Sequence, residues 1–581
     1  ERYTMSDSGS KKIIGLVIED IFSDFSKEII HSVVYAVGNR DDMQLIVVAG
    51  RQAGLGSGDD NRHYYRAVSN SIYSMVEQCK FDGLIIALPN MKGIHYEYYK
   101  DVPKVFIASD EKKELTVNYN DEMGLREAMD YLFRVKGVTN FCMLGGRDDN
   151  ADAQKRKKLF MDYLKGKGLD YSEDKYEPSE MSIQSEASAT RLLDRNPEAQ
   201  AIFCVNDQVA YGLYKVMKAR NLTPGRDMDV FGFDNTRLAT DMIPALSSIG
   251  ADAASLGQNA LDLLIKRMND DYADSVTIPT CLFGRESMDY RLEGYNAKEL
   301  ASADDAFINR MFDDCFYRYR NEIIDSRAID LRRLFYAYIS EMLACIKKRR
   351  MNDKQFEELH RLIDIFFDND AMKYTDMSRF VTCIGALQGA MQAVPHSGSV
   401  NEKNAVLFSH MRDKALLAQA SWWNSKSLDY NDERIRIRDY IAETMRFTDK
   451  PEDMLKHAIK HFDMLGFKGA AFYMYDAPVK YSPDAPAAFP EDIYLKCTVV
   501  SGRLNVINEG SQARKACDIF KVDGLTGTGK GLIAFPVFSG AYVYGLIVCT
   551  LNRDIAEKGE YLACQLGRVI AMCPEGGGKP L

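Results

Sequence analysis

The chain has 581 residues, of which 46% are apolar, 11% aromatic and 27% charged; these are globular proportions, and they exclude collagen-like, low-complexity and wholly disordered classes. Such a length predicts three or four domains. Lys and Arg number 74 against 84 Asp and Glu, a formal charge of -10, which is a poor balance for a general polyanion binder because phosphate neutralisation needs surplus cations. The 12 cysteines stand singly with no C-x-x-C pair, so neither a zinc ribbon nor a thioredoxin-type motif is expected. Free, mostly buried cysteines in a reducing cytosol are expected instead. The N-terminal segment lacks the apolar core of a signal peptide, and no run of about 18 apolar residues occurs, so a cytoplasmic protein without membrane spans is expected.

In chain order, residues 1–10 read as a disordered or tag segment. The next stretch, 11–295, alternates short apolar runs with amphipathic segments. KKIIGLVIED is a buried strand. FSKEIIHSVVYAVGNRDD places Ile29, Ile30, Val33, Val34 and Val37 on one helical side. MQLIVVAG, FDGLIIALP, VPKVFIASD, VTNFCMLGG, AQAIFCVND and DMDVFGFDN are further apolar runs ending in small or polar residues. This alternation predicts βαβ units and a parallel sheet covered on both faces. Ligands of such sheets sit beyond the carboxyl ends of the strands, where Asp20, Asn206-Asp207 and Asp234-Asn235 fall. Residues 296–445 carry apolar positions at i, i+3, i+4 and i+7 and predict an all-α region, either a bundle or a connector. From about 446 the pattern changes to a helix with Thr448 as N-cap and Pro451 in its first turn, then strands, a hairpin about Ser539-Gly540-Ala541, and a closing helix. That order predicts an α+β domain over 446–572, followed by a tail at 573–581.

Residues 11–290 resemble the ligand-binding domain of LacI/GalR regulators, a type I periplasmic-binding-protein fold. The segments carrying the resemblance are IIGLVIEDIFSDFSKEII, FDGLIIALP, VPKVFIASD, VNYNDEMGLREAMDYL, DAQKRKKLFMDYL, AIFCVNDQVAYGLYKVMKARNL, DMDVFGFDN and IPALSSIGADAASLGQNALDLL. It implies two α/β lobes joined by a hinge, with a small polar ligand, a sugar or derivative, in the cleft. It places the ligand-binding arginine at Arg156, the Asn-Asp pair at Asn206 and Asp207, the acidic position after the GFDN strand at Asp234, and an apolar cleft residue at Phe25. These residue types fit a polyhydroxylated ligand, since Arg offers a fixed donor fork, a carboxylate accepts two hydroxyls, and an aromatic ring gives a platform. Each has a plainer alternative. Arg156 could be a surface helix arginine within KRKK, Asp207 a helix N-cap, and Asp234 a strand terminator. The sequence departs from the family where Ala108 stands at an acidic position and Ala251 and Ala253 at polar or aromatic ones, so a ligand other than an ordinary hexose fits.

Residues 447–570 resemble a GAF domain through GLIAFPVFSGAYVYGLIVCTL and its flanking helices, which implies dimerisation or small-molecule binding. With about ten residues before the first strand, neither the family's helix-turn-helix headpiece nor direct nucleic-acid binding is expected of this chain. Cytoplasmic bacterial proteins joining such a sensor to helices and a GAF domain often continue into a diguanylate cyclase, but no GGDEF signature is present. The chain has no catalytic motif of its own, and neither a cofactor nor a metal is expected. Gly524–Gly531 (GLTGTGKG) nearly forms a phosphate loop but ends in Gly rather than Ser or Thr and precedes a strand. His457 and His461 lack a third ligand. Lys347-Lys348-Arg349-Arg350 reads as a solvated helix end, and Trp422-Trp423 as packing residues. The expected function is that of a cytoplasmic, homodimeric sensor that passes ligand closure through helices to a cyclase output; the alternative is a ligand-responsive transcription regulator whose DNA-binding part lies elsewhere.

Overall fold

The computed structural model describes residues 11–21, 24–50, 68–88, 99–109, 113–148, 150–251, 253–290, 295, 299–300, 302–316, 319, 330–394, 398–445, 467, 469–482, 488–522, 525 and 531–572. The helix expected after 446, with Thr448, Pro451, His457 and His461, lies outside these residues. So do both tails and most of the Gly524–Gly531 loop.

The elements, in order, are β1 (Lys12–Ile18), α1 (Asp24–Gly38), β2 (Met43–Ala49), α2 (Ser71–Met75), β3 (Gly83–Ala87), β4 (Lys104–Ile107), β5 (Leu115–Asn120), α3 (Asp121–Arg134), β6 (Phe141–Leu144), α4 (Ala151–Lys167), β7 (Tyr176–Glu177) and α5 (Glu186–Arg195). There follow β8 (Ala201–Cys204), α6 (Asp207–Ala219), β9 (Asp229–Phe233), α7 (Arg237–Asp241), β10 (Ser247–Gly250), α8 (Ala253–Met268), β11 (Val276–Pro279) and β12 (Cys281–Phe283). Helices α9 (Asp305–Cys315), α10 (Leu331–Lys347), α11 (Asp353–Asp368), α12 (Met377–Ala393) and α13 (Gly398–Thr444) come next. The chain ends with β13 (Gly469–Lys480), β14 (Asp492–Val500), β15 (Arg503–Val506), β16 (Ala513–Lys515), β17 (Leu532–Ser539), β18 (Tyr542–Thr550) and α14 (Arg553–Ala571). Two compact units result: Glu1–Tyr119 with Ala253–Ile278 and Asn431–Leu581, and Asn120–Asp252 with Pro279–Tyr430.

In the first unit the parallel strands run β5-β4-β3-β1-β2, with β11 beside β5. The five apolar positions read on α1 are all buried. At Gly257 of α8 a side chain would run into the α1 backbone at Ser32 and Val33, so glycine permits close helix packing. Sequence reading sets a boundary at 446, but the structure carries the sheet across it. Strand β2 pairs in parallel with β17, Ile46 facing Leu532 and Val48 facing Ala534. The sheet then continues antiparallel through β18, β13, β14 and β15, with β16 also on β14, to twelve strands. The reason is physical: β2 and β17 are both apolar and almost wholly buried, and a bare edge of that kind needs a partner. Val17, Ile46 and Val48 share one core with Tyr473, Ala534 and Val548. The hairpin expected about Gly540 is present, with Gly540 at φ +56°.

The second unit holds a six-stranded sheet in the order β12-β10-β9-β8-β6-β7, parallel except for β12. Its core stacks Phe203 on Phe231, with ring centroids 5.0 Å apart. Helices α9 to α12 and the start of α13 form a second core around Phe312, Phe316, Phe335, Phe366 and Phe380. The 347–350 basic run ends α10 in solvent, as expected. Trp422 packs beneath the Arg237 guanidinium, 4.4 Å from its ring centroid, while Trp423 is exposed. Among the described residues no helix is long and apolar enough to cross a membrane, no group of three or more His, Cys, Asp or Glu is placed to hold a metal, and every cysteine is free.

Candidate functional site

Three helices of the second unit start at the carboxyl end of its sheet with an asparagine cap. Asn120 caps α3 by accepting from the Met123 N–H, Asn150 caps α4 through Ala153, and Asn206 caps α6 through Val209 at 2.9 Å. These caps fix the register that turns Arg156, in the second turn of α4, inward, where it is only 6% exposed. Its Nη1 donates to the Val205 carbonyl at 2.7 Å and its Nη2 to Asp234 Oδ1 at 3.3 Å. The guanidinium lies 3.6 Å from the centroid of the Phe233 ring. Asp121 Oδ2 stands 3.8 Å from Nε, beyond hydrogen-bond reach, and Nε has no acceptor.

Asp234 and Asn235 sit at φ +93° and +48°, a left-handed pair that Asp and Asn tolerate better than most residues. Asp207 locks this loop. Its Oδ2 accepts from the Thr236 N–H at 2.7 Å and the Thr236 hydroxyl at 2.9 Å, and its Oδ1 accepts from Ser248 Oγ at 2.6 Å. Gly232 is required here, because a side chain would collide with the Asp207 carboxylate. Burial raises the Asp207 carboxyl to about 7, and the Asp234 charge adds to that; the Ser248 and Thr236 hydrogen bonds oppose it. Burial also raises the Asp234 carboxyl, against the pull of Arg156. Burial lowers Arg156, but Asp234 and Asp121 outweigh it and hold the guanidinium above its ordinary value.

Arg156 and Asp234 are thus brought together, with Phe233 rather than a more distant aromatic as the platform. Asn206 and Asp207 are adjacent but spent on local structure: Asn206 is the α6 cap and also donates to the Met181 carbonyl at 3.3 Å, while the Asp207 carboxylate is fully occupied by the 236 and 248 side chains and backbone. Phe25 belongs to the first unit, where it meets Tyr119 edge-on at 6.5 Å. Ala108 adopts φ +51°, and Asn118 braces the next residue by accepting from the Ser109 N–H. Asp121 escaped sequence reading, although Asn120-Asp121 repeats the Asn206-Asp207 pattern of a cap followed by an acid in the first turn.

Residues 131–288 match a family model described as "Periplasmic binding protein-like domain". The chain is 29% identical over 216 residues to the catabolite control protein A of Priestia megaterium, covering 36% of this chain and 64% of that protein. It is 33% identical over 116 residues to the ribose operon repressor of Haemophilus influenzae, covering 19% of this chain and 33% of that protein. The chain therefore spans less than two thirds of either relative. Among solved structures, the transcriptional regulator CelR–cellobiose complex superposes with a TM-score of 0.41 at 19% identity, over 48% of this chain and 85% of that one. Over residues 131–288 the chain carries a periplasmic-binding-protein-like domain.

Proposed function

We propose that the second unit holds a small, neutral, polyhydroxylated ligand at Arg156 and Asp234 and that the chain is a ligand-responsive regulator. The observation that carries this is a buried guanidinium, 3.6 Å over the Phe233 ring and paired with Asp234, whose Nε still lacks an acceptor. A buried donor without a partner favours a ligand that supplies one. The charges set the class: the two cations Arg156 and Lys155 are matched by Asp234 and Asp121, which leaves no surplus for a phosphate or carboxylate. The relatives are a control protein and an operon repressor, which supports an output on transcription over a cyclase. A homodimer is the proposed working form, supported by exposed Leu416, Leu417, Leu428 and Ile435 along α13.

Isothermal titration against D-ribose and a panel of neutral mono- and disaccharides, with their phosphorylated forms, tests the reading. At least one neutral sugar should bind, with affinity falling about 10- to 150-fold in Arg156→Met and in Asp234→Ala. Binding unchanged in both variants overturns the site. Preference for the phosphorylated forms overturns the ligand class.

A further inference from the structure

The loop carrying Asp234 is tied to the helical part of its own unit at two places. The first is Arg285, which is 2% exposed. Its guanidinium joins three elements. Nη2 donates to Asn235 Oδ1 at 2.6 Å, Nη1 to the Leu246 carbonyl at 2.7 Å, and Nε to Asp376 Oδ2 at 3.2 Å. Asp376 is also the N-cap of α12, its Oδ1 accepting from the Arg379 N–H at 2.7 Å. The Asn235 N–H in turn donates to Ser248 Oγ at 3.0 Å, and Ser248 bonds Asp207. The second tie is Arg237, three residues beyond Asp234, whose guanidinium covers Trp422 of α13.

A planar guanidinium serves three acceptors on three elements in only one orientation. A buried ion pair cannot lose one member without stranding the other. A displacement of Asn235 therefore either breaks its own bond to Arg285 or moves the guanidinium against Asp376, and the second course disturbs the cap of α12. We propose that Arg285 is the positioning residue through which the Arg156–Asp234 site and helix α12 answer one another, so that filling the site is felt in the helical bundle. This deepens, and rests on, the reading of that site as the ligand site. It assigns the buried Arg285–Asp376 pair a role beyond holding the fold together.

The test uses the full chain and perturbs the site by substitution, so it needs no identified ligand. Hydrogen–deuterium exchange is followed on peptides within 377–393 in the wild type, Asp234→Asn, Arg285→Met, Asp376→Asn and the two doubles with Asp234→Asn. Asp376→Asn keeps an oxygen for the α12 cap while removing the charge, so it carries the test should Arg285→Met fold poorly. Asp234→Asn is expected to change exchange in 377–393 by about fivefold or more. In the Arg285→Met and Asp376→Asn backgrounds that response should vanish, and Arg285→Lys, which keeps the charge but not the fork, should recover part of it. A merely structural Arg285 would raise exchange on its own yet leave the response to Asp234→Asn intact. That result, or no response to Asp234→Asn in the wild type, overturns the proposal. Calorimetry with sugars separately decides the ligand reading, so the two can fail independently.

Discussion

Replacing Asp207 by Asn should stabilise the second unit by a margin that widens from mildly acid to alkaline pH. The carboxyl is fully buried and held at about 7, up from an ordinary 3.8. At about 1.4 kcal/mol per pH unit, ionising it in the folded state costs up to about 4 kcal/mol. The sign follows from proton binding. Below 3.8 both folded and unfolded chains hold the proton, and the group contributes nothing to the pH dependence. Between 3.8 and 7 the folded chain keeps a proton that the unfolded chain has lost, so stability falls as pH rises, and above 7 the full cost is present. Asn mimics the protonated form: its oxygen can accept from Thr236, and its amide can donate to Ser248 Oγ. At pH 5, already above 3.8, Asp207→Asn should be the more stable by about 1.5–2 kcal/mol. By pH 8.5 it should be the more stable by a few kcal/mol, with about 4 as the ceiling. The chain's two tryptophans, Trp422 and Trp423, both lie in the second unit, so urea unfolding followed by tryptophan emission reads that unit alone. If wild type and variant show the same pH dependence, the carboxyl does not carry this burial cost and the reasoning fails.

Other expectations follow from the same geometry. Gly232→Ala pushes a methyl group into the Asp207 carboxylate and should cost about 1–3 kcal/mol in the tryptophan transition; a neutral effect would mean that the loop is not tightly locked. Arg156→Met strands Asp234, while Asp121 keeps Lys155 at 3.3 Å, and should destabilise the second unit by about 3–5 kcal/mol in the same assay at pH 7.5; an unchanged midpoint would contradict the buried pair. A chain ended at residue 445 would bare the apolar β2 edge that β17 covers and should associate on size-exclusion chromatography beyond the oligomeric state of the full chain, whereas the same oligomeric state as the full chain would show that β2 does not depend on that pairing.

How much of this was legible depended on range. The α1 stripe and the alternating strands of the first 290 residues show in the sequence because burial imposes a local period on them. The polar end of the DMDVFGFDN run shows in the sequence, but the left-handed turn at Asp234-Asn235 does not, although Asp and Asn tolerate it. Arg156 was reached through resemblance, because KRKK by itself reads as solvated charge. The pairing of β2 with β17 could not be read: 486 residues separate Ile46 from Leu532, and an apolar strand does not encode which edge it will join. Arg285 and Asp376, 91 residues apart, likewise carry no mark of their ion pair. Asn206-Asp207 shows the opposite case, a visible motif whose side chains are committed to cap and loop rather than to the space around Arg156.

The most direct measurement is a crystal structure of the full chain with the tightest-binding sugar from the titration panel. A ligand oxygen should lie within about 3 Å of Arg156 Nε and a ligand hydroxyl within about 3 Å of an Asp234 carboxylate oxygen, with the sugar in the space these two side chains face. Density for the sugar elsewhere, with Nε still lacking a partner, would contradict the assignment.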